Sequence, residues 1–452
     1  MVRTALPGGV SMSRTAPYVI LGNGAAGISA VRAIRLRDST SPIILITEEP
    51  PVAYSPALLP YLLAGKIKED TIALTDMAFY ERLGVTVRHE TQAIAVEPQD
   101  QCVALANGDG VRYAKLLVAT GATAKGEVVS GAPSGQPLTL RTLGDCRKAR
   151  ESAAQAHHVV VLGAGLAGLE IAMALRQLSK GVTVVARSPQ ILSRNTGPDE
   201  ARLVQHLIEQ SGVNFLLGRT TEAVEDAGGR AFLTTVEGDR VRTDLLIAAK
   251  GAEPNDYLLP SRTDTPKNGI AVDAYMRTTF PNVFAAGDVA RSPNALTGDL
   301  DTLATWPSAC FQGAVAGTNM AGGEACMSGE IRHNVLPVFG RPVAFIGLAG
   351  IRSSQAHSEP YEIVTAGGEK SDRFRRLYFD RGRLIGAFAV GKSRDLGLLR
   401  LLIETATPLT AEERRSVVTG SGWGALYGRM LPHLGTGRTR DPLRTAAANR
   451  EE

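Results

Sequence analysis

Residues 18–35 read YVILGNGAAGISAVRAIR. Tyr18 to Leu21 is a short apolar run with strand character. It passes directly into Gly22-Asn23-Gly24-Ala25-Ala26-Gly27, and Ile28 to Arg35 then repeats apolar residues with a helical period. A second apolar run, Ile43 to Ile46, ends just before Glu48. The order strand, glycine turn, helix, strand, acid is that of a dinucleotide-binding βαβ unit. Gly22 permits the tight turn, Gly24 lets the backbone approach a pyrophosphate, and Gly27 allows helix and strand to pack closely. The free N–H groups and positive dipole end of the helix favour phosphates. Glu48 lies 26 residues after Gly22, where a carboxylate accepts ribose hydroxyls.

The pattern recurs in residues 159–178, VVVLGAGLAGLEIAMALRQL. Val159 to Leu162 reads as a strand, Gly163-Ala164-Gly165-Leu166-Ala167-Gly168 as the turn, Leu169 to Leu178 as the helix and Val182 to Ala186 as the next strand. Two fingerprints in one chain imply two dinucleotides, one retained for chemistry and one exchanged as substrate. The second fingerprint lacks the acid. Ala186 and Arg187 stand in its place, and Arg187 is suited to a 2′-phosphate, which leans towards NADP(H). A solvated loop arginine is the alternative.

The chain has 452 residues, enough for two or three domains of ~150 residues each. Apolar residues make up 44% and charged residues 21%, so a sizeable core is possible. The net charge of +4 is spread along the chain, and no interleaving with aromatics points to nucleic acid. The denser arginines at 373, 375 and 376 read as solvated surface or as a docking face for an acidic partner. Cys102, Cys146, Cys310 and Cys326 are far apart, with no C-x-x-C unit, which disfavours zinc or iron–sulfur ligation and suits a reducing compartment. The first dozen residues lack the apolar core of a secretory signal, and Met12 is a second candidate start. The longest apolar stretch, Val159 to Leu169, is too short to span a bilayer. A cytoplasmic protein is expected.

Three further motifs carry a family resemblance. They are LLVATGA (Leu116 to Ala122), IAAKGAEPN (Ile247 to Asn255) and TTFPNVFAAGD (Thr278 to Asp288). Together with the two fingerprints, in this order, they resemble the FAD-dependent pyridine-nucleotide oxidoreductases of the two-dinucleotide-binding-domain superfamily, over about Ala16 to Ile403. The resemblance implies an α/β fold with two Rossmann-like domains, the FAD domain split around the NAD(P) domain, and a C-terminal α+β interface domain. The boundaries expected are 14–123 and 252–325 for the FAD domain, 124–251 for the NAD(P) domain, 326–434 for the interface domain and 435–452 for a disordered tail. In that last domain, runs at Ile331–Phe339, Val343–Leu348, Tyr361–Thr365, Arg375–Phe379 and Leu384–Val390 read as strands and Leu396–Glu404 as a helix.

By the same resemblance FAD would be held by the first glycine turn, Glu48, Ala93, Ala119, Thr120, Gly121, Gly287 and Asp288. NADH or NADPH would be held by the second turn, Arg187 and the backbone near Gly251. Glu170 would lie near the nicotinamide, or else merely favour the helix N-terminus. Disulfide reductases of this family carry a thiol just after the first βαβ unit. Here the stretch Ala53 to Tyr61, AYSPALLPY, has Ala57 in that place, so a thiol relay is not expected. Thr305 to Gly313, TWPSACFQG, resembles the T-W-x-x-A-x-x-Q-G stretch of ferredoxin and rubredoxin reductases. Trp306 inherits the place beside the flavin ring, with plain core as the alternative, and Gln312 would face the ring's polar edge. Tyr54 and Tyr61 are further ring neighbours or structural residues.

The overall likeness is to flavin subunits that link NAD(P)(H) to iron–sulfur proteins, such as the phenylglyoxylate dehydrogenase flavin subunit. The expected function is NAD(P)H:acceptor oxidoreduction through FAD, in either direction, with an iron–sulfur protein or subunit as partner and with no firmly named catalytic acid or base. A homodimer or a larger complex would suit it. The alternatives are an NAD(P)H oxidase or non-thiol dehydrogenase, and a non-catalytic redox-sensing subunit.

Overall fold

The apolar runs read from the sequence become strands, and both glycine turns become helix starts. The computed structural model describes residues 16–133, 135–260, 268–327, 329–349, 362–368, 373–420, 423, 424, 426 and 428. The expected tail at 435–452 and the expected domain start at 14 lie outside the described residues. Along the chain run β1 (Tyr18–Leu21), α1 (Ala25–Arg35), β2 (Ile43–Ile46), β3 (Val85–Arg88) and β4 (Lys115–Val118). Next come β5 (His158–Leu162), α2 (Leu166–Gln177), β6 (Gly181–Ala186), β7 (Val213–Leu217) and β8 (Leu245–Ala248). Then follow β9 (Val283–Ala285) and α3 (Trp306–Met320). The last group is β10 (His333–Val338), β11 (Arg341–Gly347), β12 (Glu362–Ala366), β13 (Phe374–Asp380), β14 (Arg383–Val390) and α4 (Leu396–Glu404).

The first sheet is parallel and ordered β9-β4-β1-β2-β3. Its outer strand β9 arrives from beyond the second unit, so one sheet is assembled from two distant parts of the chain. The second sheet, β7-β6-β5-β8, is also parallel. Central strands of such sheets are covered on both faces, which is why Val19 to Leu21 and Val159 to Leu162 are unbroken apolar runs and are buried. The two units are joined by an antiparallel pair, Ala122–Ala124 with Ala252–Pro254, where LLVATGA and IAAKGAEPN end. The third sheet, β10-β11-β14-β13-β12, is antiparallel and completes the expected α/β plus α+β architecture. Its residues Val338, Phe345 and Phe388 share one hydrophobic cluster with Leu59, Leu62, Leu63 and the second unit. Helix α2 begins three residues earlier than the sequence reading placed it. Two antiparallel meanders, starting at Ala93 and Thr221, were not foreseen.

Helices α1 and α3 cross very closely. A Cβ on Gly313 would lie 2.1 Å from the carbonyl oxygen of Ala26, and one on Gly317 would lie 2.4 Å from that of Ala30. The small faces Ala26/Ala30 and Gly313/Gly317 therefore set the distance between the helix that starts at the first glycine turn and the helix that carries Trp306.

Candidate functional site

The first turn has the geometry its glycines require. Gly22 has φ +108°, and a Cβ there would meet the carbonyl oxygen of Ala119 at 2.2 Å. A Cβ on Gly27 would meet the carbonyl oxygen of Gly22 at 2.1 Å, whereas one on Gly24 would meet nothing within 4 Å. Gly24 opens instead onto a cleft, and no side chain caps the N-terminus of α1. The second turn repeats this: Gly163 is crowded by Ala249, Gly168 by Gly163, and Gly165 is open. Gly165 stands at the N-cap of α2, and no side chain caps that helix.

Two cavities, of about 490 and 690 Å³, both contain Gly24, Pro56, Ala119, Gly121 and Arg141 in their walls and so form one elongated cleft. The first is lined by Gly22, Glu48, Tyr54, Ala93 and Thr120. The second is lined by Ala25, Ala26, Leu166, Ala167, Glu170, Gly287, Asp288 and Trp306. The structure thus brings most of the expected residues to one groove. It starts at the acid after β2, passes over the open Gly24 at the helix start, and ends in a wider chamber walled by both glycine-turn helices. This shape and donor set fit FAD: a carboxylate at one end, uncapped N–H groups in the middle, and an apolar chamber with an indole at the other.

Several expected residues are placed differently from their neighbours. Gly163, Gly165, Gly168, Arg187 and Gly251 line neither cavity. Tyr54 lines the first cavity, not the chamber with Trp306, and its hydroxyl accepts a hydrogen bond from the Leu143 N–H at 3.0 Å. Tyr61 lines neither; burial, and then the nearby Glu170, raise its pKa. Gln312 does not face the chamber. It is buried, accepts from the Gly287 N–H at 2.8 Å, and donates to Ser292 Oγ at 3.2 Å and Glu330 Oε2 at 2.9 Å. A buried amide needs partners on both ends, and these three are all protein groups, so Gln312 fixes the backbone beside Asp288.

Asp288 is held by Arg141, whose Nη2 donates to Oδ2 at 2.6 Å while its Nε donates to the carbonyl of Ala122 at 3.0 Å. Arg141 lines both cavities but escaped the sequence reading. The available signal was the capping box Thr142-x-x-Asp145, which starts the helix Leu143–Gln155 and pins Arg141 immediately before it. Asn255 also escaped: its Nδ2 donates to the Thr120 carbonyl at 2.9 Å, and its carbonyl accepts from Thr120 Oγ1 at 3.0 Å, stapling the two crossovers beside the cleft. His333 to Val335 reach the chamber from the third sheet. Burial, and then Arg400, lower the pKa of His333.

Glu170 lies deep among protein atoms yet keeps access to the chamber, and burial raises its pKa to about 7. Ala57 lines the chamber and none of the four free cysteines lines either cavity. Cys146 is buried against the carbonyl of Leu59, and burial pushes its thiol up to about 11. Among the described residues no group of three or more His, Cys, Asp or Glu could hold a metal ion. No helix among them is long and apolar enough to cross a membrane.

The family profile described as pyridine nucleotide-disulphide oxidoreductase matches residues 16–313. The NADH-dependent phenylglyoxylate dehydrogenase subunit epsilon of Aromatoleum evansii is 34% identical over 404 residues, covering 88% of this chain and 94% of its own. The ferredoxin–NAD(+) reductase component of the anthranilate 1,2-dioxygenase system of Burkholderia cepacia is 31% identical, covering 86% and 94%. Among solved structures, an NAD-dependent persulfide reductase from A. fulgidus superposes with a TM-score of 0.78 at 27% identity, covering 87% of this chain and 77% of that one.

Proposed function

The chain belongs to the pyridine nucleotide-disulphide oxidoreductase family, and on that footing we propose that it passes electrons through FAD between NAD(P)H and an iron–sulfur protein or subunit. The carrying observation is the chamber in which α1 of the first fingerprint, α2 of the second and Trp306 meet, with alanine where a relay thiol would stand. FAD, when bound, supplies a two-electron acceptor that can release electrons singly. The chain's residues bind, orient and enclose. The open Gly24 and the uncapped start of α1 receive the pyrophosphate, Glu48 accepts from the adenosine ribose, and Asp288, steadied by Arg141, accepts from the ribityl chain. Trp306 walls the chamber with a rigid apolar face. Leu166, Ala167 and Glu170 on α2 bring the nicotinamide end of the second dinucleotide into the same space. Hydride transfer needs proximity and exclusion of water, not a side-chain nucleophile.

This reading carries the split layout with it, a cofactor unit from 14–123 and 252–325 around a dinucleotide unit at 124–251, covered by 326–434. A reducing cytoplasm suits four unpaired thiols and a nicotinamide-fed reaction. The relatives named as a ferredoxin–NAD(+) reductase component and a phenylglyoxylate dehydrogenase subunit support an iron–sulfur partner. The test is an acceptor panel with the FAD-loaded protein and a nicotinamide donor. Ferredoxin or rubredoxin is expected to turn over faster than low-molecular-weight disulfides or oxygen. Dominant turnover with a disulfide or persulfide would overturn the reading, and dominant oxygen consumption would make the protein an oxidase.

A further inference from the structure

The two nucleotide units are built alike, so positions can be compared within this one chain. The Gly22 N–H donates to the Ile46 carbonyl at 2.8 Å, and the Gly163 N–H donates to the Val185 carbonyl at 2.8 Å. Ile46 pairs with Leu21 across β1 and β2, and Val185 pairs with Leu162 across β5 and β6. Ile46 and Val185 are therefore equivalent. Counting onward, Thr47 matches Ala186 and Glu48 matches Arg187. Glu48 lines the cleft of the first unit. The second unit sets a cation at the equivalent point.

We propose that Arg187 makes the second unit selective for a dinucleotide with a 2′-phosphate, NADPH over NADH. The proposal rests on the reading above that this unit takes a nicotinamide dinucleotide. The backbone that carries Arg187 is fixed beside the glycine turn. Ser188 Oγ donates to the Gln190 carbonyl at 2.7 Å, Gln190 Nε2 donates to the Thr196 carbonyl at 3.1 Å, and the Leu192 N–H donates to the Ala164 carbonyl at 2.9 Å. Arg187 is exposed, and so is Arg194 on the same loop, which has no carboxylate from Arg187 to Thr196. The neighbouring strand β7 ties in through the Gly218 N–H to the Ser188 carbonyl at 3.0 Å and the Arg219 N–H to the Ala186 carbonyl at 2.9 Å. Carboxylates on that side are engaged: Asp239 pairs with Arg219, and Glu237 accepts from the Thr220 N–H. A ribose diol thus finds no acid at the place where the first unit offers one. A 2′-phosphate finds a guanidinium fork, whose geometry matches phosphate oxygens.

The test uses the FAD-loaded protein under anaerobic conditions, reading flavin reduction by NADPH and by NADH. NADPH is expected to be favoured ~10-fold or more in rate over half-saturation, as one charge-assisted phosphate contact allows. Arg187→Ala is expected to lower the NADPH-to-NADH ratio ~10–100-fold, mainly through half-saturation, Arg187→Lys to keep part of it and Arg187→Glu to invert it. A second readout needs no turnover: calorimetric binding of adenosine 2′,5′-bisphosphate against ADP, with the bisphosphate preferred by the wild type and not by Arg187→Ala. Equal or better use of NADH, or a ratio unmoved by Arg187→Ala, overturns the proposal. If neither dinucleotide reduces the flavin while the bisphosphate preference and its loss are seen, the hydride reading fails and the role of Arg187 stands.

Discussion

Glu170 sits one turn into α2 at the chamber wall, where burial lifts its pKa from the ordinary glutamate value of 4.5 to about 7. A folded-state pKa above the unfolded one means that the folded chain holds the proton more tightly. Its contribution to stability is therefore full below the ordinary glutamate range and is lost as pH rises through about 7. A shift of this size is worth up to roughly 3 kcal/mol. Denaturant unfolding between pH 5 and pH 8 should show the wild type losing stability relative to Glu170→Gln, whose amide does not titrate. Parallel curves for the two proteins would show that Glu170 ionises freely. Arg141 offers a second residue-scale prediction. Arg141→Ala removes the cation that steadies Asp288 inside the cleft, and FAD affinity should fall ~10–100-fold, the worth of one charge-assisted contact. Titration of FAD into the flavin-free variant checks it; unchanged affinity would place Arg141 outside the binding set. Glu48, Asp288 and the two turns were legible because each has a backbone reason tied to a fixed spacing. Arg141 was not, because its approach to Asp288 spans 147 residues of chain and leaves no local pattern.

At the scale of elements, the crossing of α1 over α3 decides the shape of the chamber. Gly313→Ala would place a methyl carbon 2.1 Å from the Ala26 carbonyl oxygen, and the helices would have to part. Ala26 lines the chamber, so the cofactor contacts would be disturbed together with the packing. The expected loss is roughly 1–3 kcal/mol, as in other overpacked sites, with weaker flavin retention. Thermal unfolding and flavin content of the purified variant check this; an unchanged melting temperature would mean that the helices separate freely. This crossing was only half legible. The Gln312-Gly313 pair at the end of TWPSACFQG lies inside α3, which starts at Trp306, and a glycine in a helix does not reveal which backbone comes near. The misplacement of Gln312 has a similar origin. Its side chain answers to Gly287, Ser292 and Glu330, which meet it only once the sheet and helix are packed. The meanders were missed because each closes on a strand of three residues, Gly110–Arg112 and Arg240–Arg242, too short to show a period.

On the scale of the whole molecule, the third sheet is fastened to the second unit by a buried charge. Glu200, in the first turn of the helix Pro198–Glu209, is 3% exposed and accepts from both Arg376 and Tyr378 on β13. Burial, and then Glu200, raise the Tyr378 phenol well above its usual range. Arg376→Met would leave Glu200 without its cation and should destabilise the protein by roughly 3 kcal/mol, as loss of one partner of a buried pair does. Differential scanning calorimetry reads the loss, and a neutral result would mean that Glu200 is proton-bound or hydrated in the variant. The strands and helix α4 of this sheet were visible in sequence as apolar runs, yet their attachment through Glu200 was not, since the two partners lie 176 residues apart.

The central claim is that the two glycine turns deliver a bound flavin and a mobile nicotinamide to one chamber. Its most direct test is anaerobic titration of the FAD-loaded protein with NADPH, and separately with NADH, while flavin absorbance is followed. Stoichiometric bleaching by at least one of them, with colour restored by an oxidised ferredoxin, is predicted. A protein that retains FAD yet stays yellow with both dinucleotides would contradict the account.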